Sequence, residues 1–218
     1  SPRDGFSLDH LLKRWWDGTP RISGNTVFVT PIESDRLFAI DLLTGERRWK
    51  EQARSQTGSR YLAGVRQSTL VLVGSDHVHG IDANQGQNVW RTAVGWLDAG
   101  EQISGVGVFG EYQDPQTGQS HPSYFVPTSS NRIVAVSLQD GTVLGRRETQ
   151  YPAGNLIATG GQILSQSPTS LSVAYGQQTL EPAVAAALAA NPEDFQAIMR
   201  QAELLMQRGQ LNEALQWL

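Results

Sequence analysis

Apolar residues along this chain come mostly in short runs broken by polar turns, a rhythm of strands. Thr26-Val27-Phe28-Val29 is followed by Arg36-Leu37-Phe38-Ala39-Ile40, a turn, and Arg47-Arg48-Trp49. A second set runs Leu70-Val71-Leu72-Val73, His77-Val78-His79-Gly80-Ile81 and Asn88-Val89-Trp90. A third runs Gly105 to Phe109, Tyr124-Phe125-Val126-Pro127, Arg132 to Val136 and Thr142-Val143-Leu144, with a polar hairpin insert over Glu111 to Pro122. The fourth begins at Asn155-Leu156-Ile157-Ala158, continues through Gln162 to Ser165, and ends after Ser170 to Tyr175 without a closing hairpin. Near Gln178 the pattern changes period. Thr179-Leu180-Glu181-Pro182 reads as a helix start with Pro in the first turn. Ala183 to Ala190 is rich in the best helix former, and Asn191 to Asp194 breaks this helix and opens the next. Phe195 to Gln207 places Ile198, Ala202 and Leu205 on one face, Arg208-Gly209-Gln210 turns, and Leu211 to Leu218 starts a third helix. At the other end, Leu8 to Trp16 has the spacing of a short helix.

One eleven-residue pattern recurs at the end of the first three sets. Ala39-Ile40-Asp41-Leu42-Leu43-Thr44-Gly45-Glu46-Arg47-Arg48-Trp49 returns as Gly80-Ile81-Asp82-Ala83-Asn84-Gln85-Gly86-Gln87-Asn88-Val89-Trp90. A weaker copy, Ala135 to Gly145, keeps Gly141 but has Ser137 for Asp and Gly145 for Trp. The glycines are 41 and then 55 residues apart, and repeats of roughly this length are the sequence mark of propeller blades. Asp41 and Asp82 stand where a short acid can bond the backbone N–H groups ahead of it. Gly45, Gly86 and Gly141 are expected to supply positive φ in the hairpin, and Trp49 and Trp90 to be largely buried between neighbouring sheets.

The spacing A-x-D-x-x-x-G-x-x-x-W resembles the tryptophan-docking repeat of the PQQ-dependent (quinoprotein) alcohol dehydrogenase family, over roughly residues 20–176. That family includes PQQ-like propellers that bind no quinone, among them a periplasmic lipoprotein of outer-membrane β-barrel assembly. The resemblance therefore implies a blade type, and an extracytoplasmic setting, without implying an activity. Its quinone-using members are expected to hold PQQ over a Ca²⁺ beneath a disulfide lid, on a ring of eight blades. This chain has no cysteine for a lid and about four blades' worth of residues. The tail resembles a tetratricopeptide repeat: Ala202, Gly209 and Ala214 fall at its small-residue positions and Pro192 at its helix break, while Gln201 departs from the usual Leu.

Composition narrows the partners. Net charge is −4 with both signs interspersed, so no basic patch for nucleic acid is present. No apolar run approaches the ~20 residues of a membrane-spanning helix. The opening Ser1-Pro2-Arg3-Asp4-Gly5 is not a signal peptide and reads as an internal cut in a longer protein.

Candidate chemistry is sparse. His77 and His79 alternate on one strand and could offer two metal ligands, but the preferred reading is two polar residues on an exposed face. Asp114-Pro115-Gln116-Thr117-Gly118 has the polarity of a Ca²⁺ loop without its alternating acids, and reads as a hairpin tip. Gly105-x-Gly107-x-x-Gly110 matches a dinucleotide fingerprint but opens no helix. Trp15, Trp16, Trp96 and Trp217 lie outside the repeat and are assigned to core packing. Asp41 and Asp82 repeat from blade to blade, which marks a structural turn; an active-site acid would occur once.

The resulting expectation is a mainly β chain: a partial PQQ-like β-propeller over 20–176, a helical tetratricopeptide-like segment over 179–218, and an N-terminal helix or linker over 1–19. Function is expected to be a non-catalytic scaffold or protein-interaction module, a fragment of a larger protein, with no cofactor and no catalytic or metal-binding residue. The alternative is a fragment of a PQQ- and calcium-dependent oxidoreductase. The expected partner is a protein or a second copy of the chain, including a homodimer.

Overall fold

A computed structural model of the chain describes residues 15–159, 162–175 and 177–218. Four antiparallel sheets follow one another in sequence. Blade one comprises β1 (Arg21–Ser23), β2 (Thr26–Val29), β3 (Arg36–Asp41) and β4 (Gln52–Ala53), followed by a single helical turn α1 (Arg54–Thr57). Blade two is β5 (Tyr61–Arg66), β6 (Thr69–Val73), β7 (Val78–Asp82) and β8 (Asn88–Arg91). Blade three is β9 (Val108–Gln113), β10 (Ser120–Thr128), β11 (Arg132–Ser137) and β12 (Val143–Glu148). The last blade has three strands, β13 (Asn155–Thr159), β14 (Gln162–Gln166) and β15 (Leu171–Tyr175). Helices α2 (Gln177–Ala190), α3 (Phe195–Gln207) and α4 (Leu211–Leu215) complete the described chain.

The core lies between blades, and the period-two geometry of strands explains how. Successive side chains on a strand point to opposite faces, so a sandwiched sheet must be apolar on both. In β6, Leu70 and Leu72 join Phe28, Leu37 and Ala39 of blade one, while Val71 and Val73 join Tyr124, Val126, Val134 and Val136 of blade three. In β11, Val134 and Val136 face blade two, whereas Ile133 packs with Ala153 and Leu156 towards blade four. Four blades thus share three cores, and among the described residues no apolar core joins blade four back to blade one. The described blades form an open arc.

Several expectations need correction. The closing strand of blade one is not Arg47-Arg48-Trp49: there only Arg47 makes a bridge, to Ile40, and β4 pairs with the far end of β3 through Leu37↔Gln52 and Arg36↔Ala53. The repeat spacing marks where the indole must stand, and the backbone around it detours to put it there. The Glu111–Pro122 insert extends the β9–β10 ladder, with Tyr112 opposite His121 and Glu111 opposite Pro122, and only its tip is a turn. Helix α2 starts at Gln177, so Pro182 lies inside it instead of in its first turn. Leu8 to Arg14 of the expected N-terminal helix lie outside the described residues. Helix α3 spans the expected residues, with the Asp194 carboxylate accepting from the Ala197 N–H at 3.1 Å as its N-cap. Ala202 and Ala214 are buried, and Gly209 has φ +76° in the turn between α3 and α4.

Candidate functional site

The repeated motif builds a dock for an indole, and each dock joins two blades. At the turn of blade two, the Asp82 carboxylate accepts from the Asn84 and Gln85 N–H groups, both at 2.8 Å. The Asp82 N–H donates to the Gln87 carbonyl at 2.8 Å, and the Gly86 N–H donates to the Asp82 carbonyl at 2.8 Å. These bonds hold Gly86 at φ +71°, a conformation glycine adopts without steric cost. Its bare face meets the ring of Trp49 from blade one, where a Cβ would stand 2.6 Å from the indole. The same indole donates from Nε1 to the Ala83 carbonyl at 3.1 Å.

One blade further on, the arrangement repeats. Gly141, at φ +75°, lies beneath Trp90 of blade two, and Trp90 Nε1 donates to the Leu138 carbonyl at 2.8 Å. Ser137 stands in for the acid: its N–H donates to the Thr142 carbonyl at 2.8 Å, and its hydroxyl accepts from Gln139 N–H at 3.2 Å. The substitution of Ser for Asp therefore leaves the dock intact. Trp90 is buried, but Trp49 is only half-buried, less than the expectation that both rings would be largely sequestered.

At the third copy the chain changes device. Gly145 occupies the Trp position, and Tyr112 fills the space above it, its ring 2.6 Å from where a Cβ would be. Blades three and four are joined by the Ile133, Ala153 and Leu156 core and by hydrogen bonds: Leu156 N–H donates to the Val106 carbonyl at 2.7 Å, Val106 N–H to Asn155 Oδ1 at 2.9 Å, and Ser104 Oγ to the Ala153 carbonyl at 2.6 Å. The glycines of the 105–110 run serve close packing, Gly105 against Gly154 and Asn155, Gly107 against Tyr124 and the Phe125 carbonyl, Gly110 against the Phe125 ring.

Other sequence candidates resolve individually. His77 and His79 are buried, not on an exposed face. The His77 ring sits against Gly58 and Gly74, and its Nδ1 is 2.8 Å from Asp76. Burial, followed by the positive charge of Arg91 and the proximity of His77, pushes the His79 imidazole down to about 4. Both oxygens of the Asp114 carboxylate are spent inside its hairpin tip, on Gln116 N–H at 2.8 Å and the Thr117 hydroxyl at 2.9 Å. Trp15 and Trp96 are core residues, the latter donating to the Asp76 carbonyl at 2.5 Å. Trp16 is not: it is 64% exposed under the Arg60 guanidinium, 4.4 Å from its centroid, and Trp217 is partly exposed. Among the described residues no three His, Asp or Glu side chains converge as a metal site would require.

Sequence reasoning missed two buried polar groups. The Tyr61 and Tyr124 hydroxyls meet at 3.3 Å, with Tyr61 also 3.2 Å from the Gly105 carbonyl. Burial raises both phenols above their ordinary range, so they stay neutral. Glu101 is buried against the Thr128 hydroxyl, with Arg132 at 3.6 Å. Neither group carries a local pattern: Tyr61 and Tyr124 stand on blades two and three, and Glu101 lies in the connection between those blades, far in sequence from Thr128.

The two ends of the arc differ from its interior. On blade one, Ile22, Val27 and Ile40 stand in one cross-strand row beside Val29 and Phe38; Ile22 is 67% exposed and the others are half-buried. On blade four, Ile157, Leu164 and Val173 form a row, and Ile157 is 52% exposed. A family described as "Outer membrane protein assembly factor BamB" matches residues 11–106 and 39–160, most of the arc. The chain belongs to this PQQ-like propeller family. BamB from Moraxella catarrhalis superposes with a TM-score of 0.52 at 16% identity, covering 73% of this chain and 45% of that one. The computationally designed Ika4 protein gives a TM-score of 0.52 at 14% identity, covering 73% of this chain and 90% of that one. Quinohemoprotein alcohol dehydrogenase from Comamonas testosteroni, 20% identical, is covered over 22% of its length and covers 62% of this chain, with a TM-score of 0.41. No curated protein matches the sequence. The chain thus spans under half the length of the BamB structure it resembles.

Proposed function

We propose that this member of the BamB-type family is a non-catalytic scaffold that binds other proteins through the ends of its open propeller arc. The observation that carries the reading is the pair of apolar flanks on blades one and four, where interior blades are covered on both faces. Large exposed apolar patches mark interaction sites on folded proteins. The repeated acids support the same reading, since Asp41 and Asp82 are engaged by their own turns. The helical tail, with Ala202 and Ala214 at its close helix contacts, acts as a tetratricopeptide-like second surface. The partner is a protein, a second copy of the chain among the candidates, and the setting is extracytoplasmic, as the family's description as an outer-membrane assembly factor supports. The chain uses no PQQ and no calcium.

Two measurements test this. Sedimentation velocity over a micromolar dilution series is expected to show association that weakens when Ile22 or Ile157 is replaced by Lys. Calorimetry with PQQ and Ca²⁺ is expected to show no saturable heat, and saturable binding coupled to dye-linked alcohol oxidation would overturn the scaffold reading in favour of an oxidoreductase fragment.

A further inference from the structure

The turn of blade one is built like the two docks that hold tryptophans. The Asp41 carboxylate accepts from Leu43 and Thr44 N–H at 2.9 and 3.0 Å, as Asp82 does from Asn84 and Gln85. The Asp41 N–H donates to the Glu46 carbonyl at 2.8 Å, and Gly45 N–H to the Asp41 carbonyl at 2.9 Å, within 0.1 Å of the blade-two values of 2.8 Å and 2.8 Å. Gly45 has φ +72°, against +71° at Gly86 and +75° at Gly141. The residue whose carbonyl would accept the indole is tethered alike in all three: Leu42 N–H to Asn25 O, Ala83 N–H to Ser68 O, and Leu138 N–H to Pro122 O, at 3.0, 2.8 and 3.0 Å. Yet a Cβ at Gly45 would meet nothing within 4 Å, where one at Gly86 or Gly141 would strike an indole at 2.6 Å.

The chain has no tryptophan of its own placed to fill this dock. Its six are Trp15, Trp16, Trp49, Trp90, Trp96 and Trp217. Trp49 and Trp90 are already docked, Trp15 and Trp96 are in the core, Trp16 lies against the Arg60 guanidinium, Trp217 follows the last helix of the tail, and blade four has three strands and no Trp. A second copy placed with its blade four against blade one would bring none either.

We propose that the Gly45 turn is a binding site for a tryptophan indole delivered by a partner, the ring lying on the Gly45 face with its N–H on the Leu42 carbonyl. The occupant is a propeller blade from outside these 218 residues, carrying a Trp four residues after its turn glycine as blades one and two do. The neighbouring flank of Ile22, Val27 and Ile40 would receive the apolar face of that blade, much as Leu70 and Leu72 receive Phe28 and Leu37 within the chain. This rests on the scaffold reading and makes it specific for one end of the arc.

The test uses the full chain, labelled with ¹⁵N, and two probes: N-acetyltryptophanamide, and a hairpin peptide copying residues 77–92 with its Trp90. Either probe is expected to shift the amide signals of Leu43 to Glu46 saturably. Gly45→Asn keeps the left-handed backbone accessible while filling the face, and should weaken binding at least tenfold. Gly24→Asn, at φ +55° on the same blade with nothing within 4 Å, should bind as the parent does. A peptide with Trp90→Ala should shift nothing at the turn. Absence of any shift with both probes at millimolar concentration, or shifts unchanged in Gly45→Asn, would overturn the dock. Self-association should be unchanged in Gly45→Asn, since a second copy brings no Trp to the turn, and its loss in that variant would overturn the external occupant; absence of association through either flank would remove the scaffold reading alone.

Discussion

At the scale of single residues, the two docked tryptophans separate burial from hydrogen bonding. Trp90 is buried and donates at 2.8 Å, so Trp90→Ala should cost about 3–5 kcal/mol. Trp90→Phe should cost about 1–3 kcal/mol, since it keeps a ring but leaves the Leu138 carbonyl unpaired. Trp49→Ala should fall below the Trp90→Ala value, because half of that ring already faces water. Urea midpoints of the three variants check this order. The glycines beneath the rings give a matched contrast. Gly45→Ala meets only the left-handed backbone strain, about 1–2 kcal/mol, whereas Gly86→Ala adds a clash with Trp49 and should lose clearly more. His79 supplies a pH dependence. Its folded value of about 4 lies below the ordinary 6.5, so the unfolded chain takes up the proton first as pH falls. The neutral ring thus favours folding above pH 6.5, and that contribution is lost as pH drops from 6.5 towards 4. The groups acting on it are Arg91, His77 and Asn88. A plot of Tm against pH should fall more steeply over this window for the parent than for His79→Leu, and parallel curves would show that His79 titrates normally.

At the scale of elements, what the sequence made legible depended on how local the cause was. Helix α3 was readable to its ends because its cap, Asp194, and its amphipathic face sit within the helix or next to it. Asp194→Ala should cost about 1 kcal/mol, measured as a shift in the chain's unfolding midpoint with the β-rich arc's signal followed separately. The repeat hairpins were legible for the same reason, since each turn is held by its own Asp or Ser and its own Gly. Strand β4 was not, because the Arg47-to-Trp49 segment is placed by the dock on the next blade, which no local pattern of blade one reports. Neither was β1, whose Arg21-Ile22-Ser23 has too little alternation to stand out. The exposed face assigned to His77 and His79 was wrong for a related reason: alternation gives a side but not what covers it, and blade two is covered on both. The Gly45 site was half legible. Its motif is printed in the sequence, but its difference from Gly86 lies only in what stands above it.

At the scale of the whole molecule, the arc makes a prediction about where charge is tolerated. In a closed ring every flank is an interior, and Lys on any of them would bury an ammonium without a partner. In the open arc seen here, Leu72 on β6 is fully buried between blades one and two, while Ile22 and Ile157 are 67% and 52% exposed at the two ends. Leu72→Lys is therefore expected to destabilise by about 4 kcal/mol or more, in the range reserved for buried unpaired charge. Ile22→Lys and Ile157→Lys should stay within about 0.5 kcal/mol of the parent, as surface substitutions do. Urea titrations at a concentration low enough to suppress association check this directly. Loss of stability at Ile22 and Ile157 comparable to that at Leu72 would mean that blades one and four meet in solution. The same two substitutions should, at higher concentration, weaken the association proposed for the flanks. Only an arc that folds on its own and binds through its ends combines unchanged stability with lost binding, because the charge then meets water in the monomer and apolar surface only in the complex.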